Sequence, residues 1–177
     1  MITAHDLLVT HPFMAGVPDR FLDRMAHYSH RVTVRAGARI FSEGGRADRF
    51  WLIREGLVSL DTHLPGRGNV VVETIGPGQV LGWSWLFPPY RWHFGATAES
   101  PVLAISFDGA GIRALCTAEP ELGYELTRRL IEVVVERMQA TRMRMLDLYG
   151  GASDHPGDGR DRVTRESLGK ESMPLAE

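Results

Sequence analysis

The sequence predicts a mainly β domain with flanking helices: a double-stranded β-helix, or jelly-roll β-roll, with short N-terminal helices and one long C-terminal helix. Three observations carry this. Eight short runs rich in β-branched and aromatic residues follow one another from position 31 to position 107. Glycine and proline separate most of them at short intervals, as the tight corners of a roll require. Before and after this region the apolar period changes from two to the helical spacing. At 177 residues, 44% hydrophobic and 24% charged, the chain suits one domain with a sizeable core.

Taken in order, TAHDLLVTHPF offers Thr3 or Asp6 as a helix cap, and VPDRFLDRMAHYS sets Phe21, Leu22 and Met25 at helical spacing after Pro18 and Asp19. The strands are then RVTV, ARIF, RFWLI, LVSLDTHL, NVVVETI, QVLGW, HFGATA and VLAISF. Gly37, Gly44-Gly45, Gly56, Pro65-Gly66, Gly68 and Gly76-Pro77-Gly78 mark the turns between them. Asp108 reads as the cap of a helix in AGIRALCTA, and Pro120 stands in the first turn of a long helix expected over about 119–149. Within it Ile131, Val134, Met138, Thr141, Met145 and Leu148 recur at alternating spacings of three and four, the seam of a helix that packs on another helix. Leu126, Leu130, Val133 and Val135 widen the apolar surface, so one side can cover the roll while the seam meets a second copy, which predicts a homodimer. The domain is expected to cover 1–149. Residues 150–177 read as a disordered tail, and their six acids against four bases equal the formal net charge of −2.

These totals exclude several classes. A formally neutral folded part lacks the basic footprint of a nucleic-acid binder. No segment has the run of about 18 apolar residues that a membrane span needs, and the N-terminus lacks a leader pattern, so the expected location is the cytoplasm. Cys116, the one cysteine, forms no internal disulfide and is expected as a buried apolar thiol. His27 and His30 stand three apart without a nearby carboxylate, which makes them surface residues rather than a metal site. The chain has no His-x-His pair, Gly-x-Ser-x-Gly elbow, phosphate loop or dinucleotide fingerprint. It is read as a non-enzyme with no catalytic residues and no metal.

Residues 82–98, GWSWLFPPYRWHFGATA, concentrate Trp83, Trp85 and Trp92, three of the four tryptophans. Upstream, RAGARIFSEGGRADRFWLIREGLVSL resembles the β-roll signature of cyclic-nucleotide-binding domains through Gly37, Ile40, Glu43-Gly44, Asp48, Phe50, Ile53 and Gly56, and IGPGQVLG fits the next turn. The resemblance covers most of residues 10–149. It implies a cassette in which Gly-Glu opens the nucleotide site, the glutamate holding the ribose, and an arginine near its end pairs with the cyclic phosphate. Here Gly82 takes the glycine and Trp83 falls where the glutamate belongs. The arginine's place falls on Trp92 or His93, with Arg91 one position away.

A shift of register at Pro88-Pro89 turns Arg91 inward to hold an anion. Without it, Trp83, Trp85, Trp92, Phe94 and His93 wall the pocket, because neighbouring strand residues face opposite ways. The ligand-binding candidates are therefore Gly82, Trp83, Ser84, Trp85, Arg91, Trp92, His93, Ala96 and Thr97. The reading is a dimeric, small-ligand-sensing regulatory module, not a standard cyclic AMP binder, that signals by shifting its long helix. Its alternatives are a haem or other hydrophobic-ligand sensor through His93, a ligand-free interaction scaffold, and a true cyclic nucleotide binder using Arg91. Expected partners are a small molecule, a second copy and a protein effector. DNA is not among them, since the residues after Tyr149 are too few and too polar for the helix-turn-helix that many bacterial relatives carry.

Overall fold

The computed structural model describes residues 3–150, with side chains through residue 147. The tail expected after residue 150 lies outside the described residues. Eight strands form two four-stranded antiparallel sheets, as expected for a jelly roll. β1 (Ser29–Val34), β8 (Val102–Asp108), β3 (Arg49–Glu55) and β6 (Val80–Leu81) make the first; β2 (Arg39–Phe41), β7 (Gly95–Ala98), β4 (Val58–Leu64) and β5 (Gly68–Ile75) make the second. The helices are α1 (Ala4–Val9), α2 (Asp19–Ala26), α3 (Gly109–Ala118) and α4 (Pro120–Gly150). The chain divides into two units, Met1–Met138 and Gln139–Glu177. Among the described residues no helix is long and apolar enough to cross a membrane.

Local chemistry explains where the elements begin. Thr3 accepts from the Asp6 N–H while the Asp6 carboxylate accepts from the Thr3 N–H, a reciprocal capping box that starts α1. Asp108 caps α3 by accepting from the Gly111 N–H. A one-turn 3₁₀ segment, Pro12–Met14, was not expected; the His11 side chain caps it by accepting from the Phe13 N–H. β6 is shorter than the QVLGW run, because Gly82 turns the chain at φ +86° immediately after Leu81.

Strand alternation splits the interior in two. On β3, Phe50 and Leu52 join a cluster with Ile105, Phe107 and apolar residues of all four helices, while Trp51 and Ile53 join one between the sheets with Val58, Leu60, Ile75 and Ala96. Burying each large side chain contributes about 1.5–3 kcal/mol. The two layers thus hold the roll and its helical cover on opposite faces of one sheet. Cys116, expected as buried, is half-buried against the helical cluster, and burial pushes its thiol pKa up.

His11 links these layers. It is 4% exposed; its Nε2–H donates to the Ile53 carbonyl at 3.0 Å and its Nδ1 accepts from Phe13, so the neutral ring satisfies both partners. Burial, opposed by the bond to Ile53 and aided by the Arg54 charge, holds its pKa below the ordinary 6.5. With the folded pKa depressed, the unfolded chain binds the proton more readily. His11 therefore favours the fold fully above about pH 6.5 and loses that contribution as pH falls below it. Urea unfolding at about pH 7.5 and about pH 5.5 is expected to show a larger acid loss in the wild type than in His11→Gln. Equal losses would remove the assignment.

Candidate functional site

The cassette between β6 and β7 contains turns and bends but no helix. Its aromatic side chains do not wall one pocket, as expected from sequence; they go to three environments. Trp85 is fully buried in the helical layer and stacks on Phe50 with centroids 4.5 Å apart, and its backbone carbonyl accepts from Arg113. Trp92, 5% exposed, enters the roll, where it stacks on Phe41 at 3.9 Å and lies 6.0 Å from the Trp51 ring. Trp83 is half-buried against the helical layer and stacks on His93 at 5.1 Å; the Ser84 hydroxyl lies 3.0 Å from His93 Nδ1. Ser84 is buried and His93 exposed.

The alternation that sends Trp92 inward sends Arg91 out. Gly44 N–H donates to the Trp92 carbonyl, Trp92 N–H donates to Gly45, and Arg91 bridges Arg46 between these bonds. Arg91 is exposed, and its Nη1 donates to the Gly44 carbonyl at 2.8 Å. The register that turns Arg91 inward is thus not adopted. Gly82 is the floor beneath Trp92: a Cβ there would stand 2.9 Å from the indole. Ala96 is fully buried between the sheets. Thr97 accepts from Arg39, which forms a bidentate pair with the buried Asp61 across Gly95. The candidates therefore divide among the roll interior (Gly82, Trp92, Ala96), the helical layer (Trp85), the cassette rim (Trp83, Ser84, His93) and polar partners elsewhere (Arg91, Thr97).

The rim meets α4. Trp83 and Phe87 from the cassette, with Leu130, Ile131, Val134 and Val135 from α4, line a wholly apolar cavity of about 230 Å³. Phe87, Ile131 and Met138 are 50%, 53% and 64% exposed. In the second unit Thr141 and Met145 of the expected seam are also exposed, and the Leu148 side chain lies outside the described residues. Two arginines tie α4 to the rest of the first unit. Arg129 donates to the Phe13 and Ala15 carbonyls, and Arg137 donates to the Val80 carbonyl at 2.6 Å while its Nε stands 3.2 Å from Glu73. That Nε is at ion-pair distance without hydrogen-bond alignment. Sequence reading missed Arg39, Asp61, Glu73 and Arg137, since nothing local marks partners so far apart in the chain.

Comparison with known proteins agrees with the architecture. Residues 31–119 match the family described as Cyclic nucleotide-binding domain. A putative cyclic nucleotide-binding protein from Geobacter metallireducens is 30% identical, covers 78% of this chain and 99% of its own, and superposes with a TM-score of 0.69. The chain belongs to the cyclic-nucleotide-binding domain family. It is 27% identical over 163 residues to a CRP-like cAMP-activated global transcriptional regulator of Mycobacterium tuberculosis, an alignment spanning 92% of this chain and 68% of that one. The catabolite activator protein of Thermus thermophilus, 21% identical, covers 78% of this chain and 63% of its own with a TM-score of 0.61, and shares the fold. Among the described residues of this family member there is no helix-turn-helix module.

The cassette departs from the pattern that the resemblance implies, a glutamate after the glycine and an inward-facing arginine. The space beside Gly82 holds the Trp92 ring, Arg91 faces away, and an indole stands at Trp83.

Proposed function

We propose that this chain is a dimeric, cytoplasmic, non-enzymatic regulatory module whose cassette is filled by its own aromatic side chains and whose output is the placement of α4. One observation carries the reading: Trp92 stacked on Phe41 at 3.9 Å, directly over Gly82. The cassette still bears on the helix, because Trp83 and Phe87 share a cavity with the seam residues Ile131 and Val134. A change at the rim alters helix packing to the extent that it favours one helix position over another. Small-ligand sensing then belongs to the apolar rim. That second reading, a sensor of a hydrophobic ligand, is supported by the all-apolar lining of the 230 Å³ cavity.

Cyclic AMP and cyclic GMP at a concentration about ten times a micromolar dissociation constant are expected to give no thermal stabilisation, where true binding stabilises by RT ln(1 + [L]/Kd). A clear upward shift with either one overturns the self-filled cassette. The wild type is expected to have the mass of a dimer by light scattering, and Val134→Glu the mass of a monomer, because the charge enters an apolar seam. A monomeric wild type removes the dimer.

A further inference from the structure

Away from the cassette, on the helical side of the first sheet, two neighbouring cavities share one lining residue, Arg54. The smaller, about 180 Å³, is lined by Leu7, Arg31, Thr33, Arg54 and Leu103, among others. The larger, about 400 Å³, is lined by His11, Pro12, Ile53, Arg54, Pro77 and Gly78, among others. Arg54 occupies an irregularity of β3, where the pairing with β8 shifts between Ile53 and Glu55. It follows Phe50 and Leu52 in the alternation of β3, on the helical face of the sheet.

The charge balance around Arg54 is one-sided. Its side chain is partly buried, and among the described residues neither it nor Arg31 has an ion-pair or hydrogen-bond partner through its guanidinium. By contrast Arg20, Arg24, Arg39, Arg128, Arg129 and Arg137 each pair with a carboxylate. No carboxylate lines either cavity. Arg31 and Arg54 both line the smaller cavity and bring two positive charges to it, which match a phosphate monoester dianion better than a singly charged carboxylate. The smaller cavity has room, since a water takes about 30 Å³.

We propose that these cavities form a binding site for a small molecule bearing a phosphate monoester. The phosphate lies between Arg31 and Arg54 with the Thr33 hydroxyl as a further donor, and the uncharged body lies over Pro12, Ile53 and Pro77. The site is separate from the cassette and independent of the reading given for it. It also adjoins segments that contact α4 and lead into the cassette. The Pro12–Met14 turn beside it receives Arg129 of α4 at the Phe13 carbonyl, and Pro77-Gly78 lead into β6 and the cassette.

The test is a titration of the ¹⁵N-labelled full chain with inorganic phosphate and with phenyl phosphate, followed by amide shifts at fixed ionic strength. Saturable shifts are expected at Arg31 to Thr33 and Ile53 to Glu55, with an inorganic phosphate dissociation constant on the order of 1 mM. Phenyl phosphate is expected to bind more tightly, because its ring adds apolar burial. Arg31→Met and Arg54→Met are each expected to weaken both ligands by about tenfold or more, with Arg54→Lys between them and the wild type and the loop variant Arg67→Met unchanged. The proposal is overturned by the absence of saturable shifts at about 20 mM phosphate, well above the expected constant. It is equally overturned by the same shifts with chloride, or by undiminished binding in Arg31→Met, an exposed position whose substitution leaves the fold intact.

Discussion

Replacing Trp92 by alanine is expected to lower the unfolding free energy by about 3–5 kcal/mol, the range for removing a buried aromatic ring and leaving its cavity. The ring is 5% exposed, stacks on Phe41, and lies against Gly82, whose backbone cannot move inward without disturbing the turn at φ +86°. Collapse around the hole is therefore restricted. Trp83→Ala, at a half-buried rim position, is expected to cost clearly less. Urea denaturation of both variants measures the difference. A double-mutant cycle with Phe41→Ala is expected to show a coupling of about 0.5–1.5 kcal/mol for the stacked pair. A loss below about 1 kcal/mol for Trp92→Ala would mean that the indole is an accessory rather than the filling of the roll.

The second large effect is expected at Glu73. Removing it as Glu73→Ala leaves Arg137, whose side chain is 14% exposed, with the Val80 carbonyl but no counter-charge except the neighbouring Glu136. Burial already pulls the Arg137 pKa below its ordinary value, against the opposing pull of Glu73. Breaking a fully buried pair costs about 3–5 kcal/mol, and partial exposure of both partners here reduces the expectation to about 1–3 kcal/mol. The readout specific to this link is local: faster amide exchange in the α4 segment around Arg137 and in β6, with α1 and α2 unchanged. The double variant Glu73→Ala/Arg137→Met removes the orphaned charge and is expected to recover much of the stability. A Glu73→Ala protein as stable as the wild type would show that the helix is held by Arg129 and apolar packing alone.

Much of this fold was legible because its signals are local. The eight strand runs, the Asp108 cap and the start of the long helix depend on side-chain period, turn residues and capping groups within a few positions of one another. Gly82 and the adjoining Trp83 were likewise identifiable in order along the cassette. The distribution of the tryptophans was not, because Trp85 and Trp92 are of one residue type seven positions apart and differ only in which layer each side chain reaches. Arg39 with Asp61 and Glu73 with Arg137 were invisible for a related reason: pairing over such separations is set by how strands and helix are stacked.

By itself, then, the sequence determined the architecture, the family resemblance and the loss of a glutamate after Gly82, all of which follow from residue identity and spacing. Only the tertiary structure decided that Trp92 enters the roll while Arg91 faces out. The bonds Trp92 exchanges with Gly44 and Gly45 set that register, and in an extended chain a step of one residue reverses the side of the sheet.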